Sequence, residues 1–194
     1  MKKKMTLFLL APVLLAVFWF ASNSRAATET PEYKVIRTDD KFEIRDYPAL
    51  SLATSPMAAD GMNGGFGNLF RFITGTNETK EKIEMTSPVL ISNTTESKTM
   101  SFIMPQATVS KGVPKPAGDA VSLTSLPATR FAVLRFPGGR NAENEKNAIA
   151  SLRAWMTEQK LTGKGEPLFA YYDPPWTPIP FRRNEVLIRI EKDL

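Results

Sequence analysis

Residues Gly65 to Asn77, with the following Lys82-Ile-Glu-Met-Thr-Ser-Pro-Val89, constrain the fold more than any other stretch of the chain. Phe66, Leu69, Phe70 and Ile73 recur at i, i+3, i+4 and i+7, with Met62 one turn earlier. That spacing predicts a short helix with one apolar face. Phe72 falls off this face, so aromatic surface is expected in two directions. Gly75 is placed to stop the helix, and Thr86-Ser87-Pro88 opens a strand, because the residue before a proline is driven towards extended geometry. Gly61, Gly64, Gly65 and Gly67 each cost about 1 kcal/mol relative to alanine inside a helix, so the first turns are expected to be loose. Two readings of the aromatic face stay open: plain packing on a sheet, or the wall of an adaptable apolar pocket.

The first 26 residues read differently from the rest. Lys2, Lys3 and Lys4 form a basic start, Leu7 to Ala21 is apolar, and Ser24-Arg25-Ala26 is a small-x-small cleavage site. This is the pattern of a secretory signal peptide cleaved after Ala26, with residues 27–194 left as one domain. A membrane anchor is the other reading, but the apolar run falls short of the roughly 20 residues of a span, and Pro12 interrupts it. Lys2, Lys3, Lys4 and Arg25 are unopposed by any acid in this segment, so removing these four charges reduces the formal +5 to +1. The remaining chain has no electrostatic footprint for nucleic acid. Its expected location is outside the cytoplasm, periplasmic or secreted, without stable membrane insertion.

The chain has no histidine and no cysteine. Disulfides, lipoprotein anchoring, Ser-His-Asp and Cys-His catalysis are thereby excluded, and an ordinary zinc or transition-metal site becomes implausible. The Gly61 to Gly67 run is no dinucleotide loop, since its glycines miss the G-x-G-x-x-G spacing and no βαβ unit accompanies them.

Short β-rich pieces run from Tyr33 to Arg37, Phe42 to Tyr47, Leu50 to Thr54, Val89 to Ser92 and Thr99 to Met104. After a Pro/Gly-rich connector (Gln106 to Asp119) come Val121 to Leu126, Arg130 to Phe136, Leu168 to Tyr172 and Val186 to Ile190. A second helix is expected from about Ala142 to Lys160, with Asn141 as N-cap, Glu143 and Glu145 near its positive end and Gly163 beyond its stop. Its core face is Ile149, Leu152, Trp155 and Met156. Tyr47-Pro-Ala-Leu-Ser-Leu-Ala-Thr54 can be laid over Leu126-Pro-Ala-Thr-Arg-Phe-Ala-Val133, and each copy leads into a helix. This order predicts an internal duplication and an α+β fold: a distorted antiparallel β-barrel of two pseudo-repeated halves with two helices packed on it.

Four segments carry a family resemblance. Phe42-Glu-Ile-Arg-Asp-Tyr47, Ala132-Val-Leu-Arg-Phe-Pro-Gly138, Tyr172-Asp-Pro-Pro-Trp176 and Pro180-Phe-Arg-Arg-Asn-Glu-Val186, together with the Gly65 helix, resemble the motifs of the SOUL haem-binding family in their order. The resemblance implies the distorted barrel, akin to effector-binding domains, and an apolar cleft holding haem or a related tetrapyrrole. It implies contacts from Met62, Phe66, Leu69, Phe70, Arg71 and Ile73 on the first helix, and from Trp176 and Arg182 in the closing block. Arg71 would meet a propionate, since a guanidinium suits a carboxylate through paired hydrogen bonds. Where some relatives carry further basic residues, this chain has Asn63 and Thr177.

Haem iron takes His, Cys, Met or Tyr, which leaves Met62, Met85, Tyr171 and Tyr172 as nominal ligands here. Some members of the family are proposed to hold porphyrin without a histidine ligand. Burying about 400 Å² of porphyrin at about 25 cal/mol/Å² gives roughly 10 kcal/mol before association costs, so a modest, about micromolar, affinity is expected. That suits a carrier or buffer. The alternatives are a general binder of flat amphipathic molecules, or a hydrolase of the wider fold using carboxylates such as Glu84, Glu166 and Glu185.

Overall fold

The computed structural model describes residues 28–57, 62–94 and 97–191. The expected export segment lies outside these residues, as do Gly61 and the side chain of Met62. Nine strands are present: β1 (Lys34–Asp39), β2 (Phe42–Tyr47), β3 (Leu50–Pro56), β4 (Val89–Asn93), β5 (Lys98–Ile103), β6 (Ser122–Leu126), β7 (Thr129–Phe136), β8 (Gly163–Tyr171) and β9 (Asn184–Ile190). Helix α1 (Met62–Ile73) follows β3, and α3 (Ala142–Glu158) follows β7. The expected connector after β5 contains a further short helix, α2 (Gln106–Lys111).

All nine strands join one antiparallel sheet in the order β1-β2-β7-β9-β8-β4-β5-β3-β6. The order carries the duplication. β3-β5-β4 and β7-β9-β8 are equivalent halves joined through β4 and β8, and the first strand of each repeat, β2 or β6, crosses to pair with the other half. The α+β class and the doubled strand-helix-strand order are as the sequence predicts. The expected barrel closure is not reached: β1 and β6 are the two ends of an open sheet.

Both helices pack on one face of the sheet. Leu69, Phe72 and Ile73 from α1 and Leu152, Trp155 and Met156 from α3 share a core with Ile44, Ala132, Phe102 and Ile188. The other face has its own apolar cluster, with Tyr47, Leu90, Ile103, Phe131 and Leu187 among its members. Replacing Leu152, fully buried, by alanine is expected to cost about 2–5 kcal/mol, read from a denaturant melt. The sequence places Ile149 on the same face, but it is only partly buried, and Ala148 takes the inner position.

Helix α1 is turned relative to the expected face. Phe72 is buried to 1% exposure, while Phe66 and Phe70 stand 40% and 50% exposed. The reason lies at Gly65. A Cβ there would sit 3.3 Å from the Pro56 carbonyl oxygen and 3.6 Å from Met100 Cβ, so α1 comes against β3 and β5 at a residue without a side chain. The stripe continuing from Gly65 at i+4, i+7 and i+8 is Leu69, Phe72 and Ile73, and this stripe enters the core.

The helix ends where expected. Gly75 has φ +116°, Thr76 N–H donates to Arg71 O (2.9 Å) and Gly75 N–H to Phe72 O (3.3 Å), the paired bonds of a Schellman stop. In α3 the Asn141 cap accepts from Asn144 N–H at 2.8 Å, as expected. Its stop is made by Lys160, with φ +59°, and Gly163 lies beyond it, as expected. Gly163 already belongs to β8, where a Cβ would come 2.9 Å from Ile188 Cγ2.

Candidate functional site

The outer side of α1 presents an aromatic surface. The rings of Phe66 and Phe70, one turn apart, stack with centroids 6.0 Å apart and planes 14° from parallel, and the edge-on contact of Phe66 with Phe102 anchors the pair. Arg71 follows, donating from Nη2 to Asn68 Oδ1 at 2.6 Å, the only hydrogen bond its guanidinium makes among the described residues. Of the residues expected to form the site, Phe66, Phe70 and Arg71 therefore reach solvent on α1. Leu69 and Ile73 are buried in the core.

Trp176 and Arg182 lie on the loop between β8 and β9. Trp176 is 73% exposed. Arg182 folds back over its own loop, donating from Nε to Thr177 O (2.8 Å) and from Nη2 to Pro175 O (2.5 Å).

A second constellation sits on the sheet face away from the helices. Glu185 in β9 is fully buried and accepts Arg45 Nη1 at 2.7 Å, Arg45 Nη2 at 3.1 Å, Arg183 Nη2 at 2.6 Å and Tyr172 Oη at 2.9 Å. Arg45 in β2 reaches it past the intervening β7 and also binds Glu43 at 2.6 Å. Arg45 lies over the Tyr33 ring and Arg183 over the Tyr172 ring, at 4.3 and 4.0 Å. Burial works against the Glu185 carboxylate, yet the hydrogen bonds and charges of Arg45 and Arg183 hold its pKa below the ordinary value. Burial likewise opposes the Arg45 charge, and Glu185 outweighs it, so the guanidinium pKa is raised. The Tyr47 phenol is pushed up to about 12, chiefly by burial.

This cluster draws on all four segments used in the family comparison: Arg45, Arg135, Tyr172 and the pair Arg183 and Glu185. From the sequence, Glu185 is one nominal carboxylate at an arginine-rich strand end, and nothing there joins it to Arg45. The signal that could find it is the alternation Glu43, Arg45, Tyr47, which puts three polar groups on one strand face. Beside the cluster, Tyr47, Leu90, Phe131, Tyr172 and Leu187 help line an apolar hollow of about 10 Å³. That is room for about one water molecule, far below the roughly 300–1,000 Å³ of ligand pockets.

The two tyrosines among the nominal iron ligands are otherwise engaged. Tyr171 donates to Glu145 Oε1 at 2.6 Å and Tyr172 to Glu185, and burial raises both phenol pKa values. Met85 is half-buried against the core.

A family model described as SOUL heme-binding protein matches residues 28–189. No curated protein matches the chain. Among solved structures, an uncharacterized conserved protein from Listeria innocua superposes with TM-score 0.58 at 10% identity, covering 78% of this chain and 92% of its own. A hydrolase from the same organism gives 0.57 at 10% identity, covering 80% and 94%. The C-terminal domain of EcmrR gives 0.55 at 12%, covering 82% and 98%. At these identities the likeness is one of fold.

Proposed function

Because the chain belongs to the SOUL haem-binding protein family, we propose that it binds haem or a related tetrapyrrole on the outer side of α1, as a carrier or buffer without an axial histidine. The observation that carries the reading is the Phe66–Phe70 stack. Two large rings remain 40% and 50% exposed beside a guanidinium whose hydrogen-bond partner is neutral. Such a surface suits one face of a flat apolar ring, with Arg71 available to a propionate at its edge. The apolar hollow on the other sheet face is far too small for a porphyrin. Bound haem would supply iron chemistry, while the chain would contribute apolar contact, orientation and a charge partner. The reading also places the protein outside the cytoplasm, exported by residues 1–26.

A hydrolytic role, suggested by the description of one solved neighbour, needs a carboxylate able to take up a proton. Glu185 is poorly suited, because Arg45, Arg183 and Tyr172 donate to its oxygens and, against its burial, the two guanidiniums hold its pKa below the ordinary value.

The test is a titration of the protein with haem and with metal-free protoporphyrin. The two affinities are expected to agree within about tenfold, a difference of 1.4 kcal/mol, because no strong iron bond is made. Phe70→Ala and Arg71→Glu are each expected to weaken both by about tenfold or more, through lost ring contact and a repelled propionate. Unchanged binding by both variants would remove α1 as the site. A sharp six-coordinate spectrum lost on Met85→Ala would show that iron ligation dominates.

A further inference from the structure

Eight large apolar side chains are exposed among the described residues, and three of them, Trp176, Ile179 and Phe181, fall within the single loop between β8 and β9. They stand 73%, 54% and 37% exposed, and the frame that holds them is rigid. Pro174, Pro175, Pro178 and Pro180 fix φ and contribute no N–H groups. The loop also bonds several of its own carbonyls. Pro174 O accepts Thr177 N–H, Pro178 O accepts Phe181 N–H and Ile179 O accepts Arg182 N–H. The Arg182 guanidinium takes Pro175 O and Thr177 O. Five loop carbonyls are thus bonded inside the loop, as entry into a low-dielectric medium requires.

The charge at the loop root points to the nature of that medium. Arg182 binds neutral carbonyls, and among the described residues no carboxylate pairs with it. Tryptophan favours the level of lipid headgroups, and an arginine beneath it favours anionic ones.

We infer that the β8–β9 loop is a docking prong for an anionic lipid bilayer, seating Trp176, Ile179 and Phe181 at the headgroup level. The inference is independent of haem binding on α1. The family resemblance assigns Trp176 and Arg182 to haem; here they serve the lipid contact. No helix among the described residues is long and apolar enough to cross a membrane, so the contact is superficial.

The test uses the full chain. It contains three tryptophans, Trp19, Trp155 and Trp176. Trp19→Phe leaves Trp155, buried and donating to Asp39 at 2.8 Å, as a reporter of the fold, and Trp176 as the reporter of the loop. Haem is omitted. The protein is mixed with phosphatidylglycerol-containing vesicles carrying a lipid-bound nitroxide near the headgroups, or with the same label in pure phosphatidylcholine. With phosphatidylglycerol, the Trp176 component is expected to shift to shorter wavelength, be quenched by the nitroxide and lose access to aqueous acrylamide. The effect should be smaller in phosphatidylcholine and fall with added salt.

Ile179→Asp is expected to abolish the Trp176 response while Trp155 emission and haem affinity stay unchanged. This readout follows the loop even if residues 1–26 hold the chain on the vesicle by themselves. Trp176 that stays open to acrylamide and escapes the nitroxide on membrane-bound protein overturns the inference. Protection that arises without vesicles and grows with protein concentration also overturns it, in favour of a second copy of the chain.

Discussion

Glu185→Ala is expected to destabilise the fold by about 3–5 kcal/mol, because it leaves Arg45 charged, 1% exposed and without its bidentate partner. The mirror change, Arg45→Ala, should cost about as much for the same reason, with Glu185 now the buried charge short of its bidentate donor. Both are measured by denaturant melts. The joint replacement Arg45→Met with Glu185→Leu should recover a large part of the loss, since an apolar pair of similar volume needs no charge partner. If each single change costs less than about 1 kcal/mol, the cluster contributes only as an exposed pair would, and its assignment as a buried clamp fails.

The same cluster sets an acid limit. Glu185 has a folded pKa below its ordinary value of 4.5. Its contribution is therefore complete above about pH 4.5 and is lost as pH falls through the depressed folded value. Wild-type melts followed downward from pH 5 should show this loss, and Glu185→Ala should show a shallower one. Equal slopes for the two proteins would place the acid sensitivity elsewhere.

Phe72→Ala is expected to cost about 3–5 kcal/mol, whereas Phe70→Ala should cost about 1 kcal/mol or less. The two residues are neighbours of the same type and differ in exposure, 1% against 50%. The apolar spacing of the sequence puts Phe70 on the apolar face, as core or pocket wall, and Phe72 off it. Paired thermal melts decide between the two faces. A larger loss at Phe70 would mean that the stack with Phe66 supports the fold and is not free surface.

Much of the architecture is written locally. Eight of the nine strands both start and end within a residue or two of the β-rich runs, and β8 matches at its end, because alternation and turn residues act over a few positions. Asn141 caps α3 and Gly75 stops α1, each by bonds to residues within five positions. The duplication was legible for a related reason: two copies of one local order are visible without knowing how they pair. The open sheet was not, since closure depends on whether β1 and β6 meet, and neither strand's own residues say so.

By itself the sequence determined the nine strands and the two longer helices, their doubled order, and the family to which the four motifs belong. It also determined that no histidine or cysteine is available to any site. Tertiary structure alone decided which stripe of α1 faces inward. Two apolar stripes fit the helical period, and the choice fell to the one that runs from Gly65, where the Pro56 carbonyl can come close. It alone decided that Arg45 and Glu185, 140 positions apart, form one buried pair. Helix and strand periods are properties of neighbouring residues. A charge pair across three strands exists only after the sheet has brought β2, β7 and β9 side by side and excluded water from the space between them.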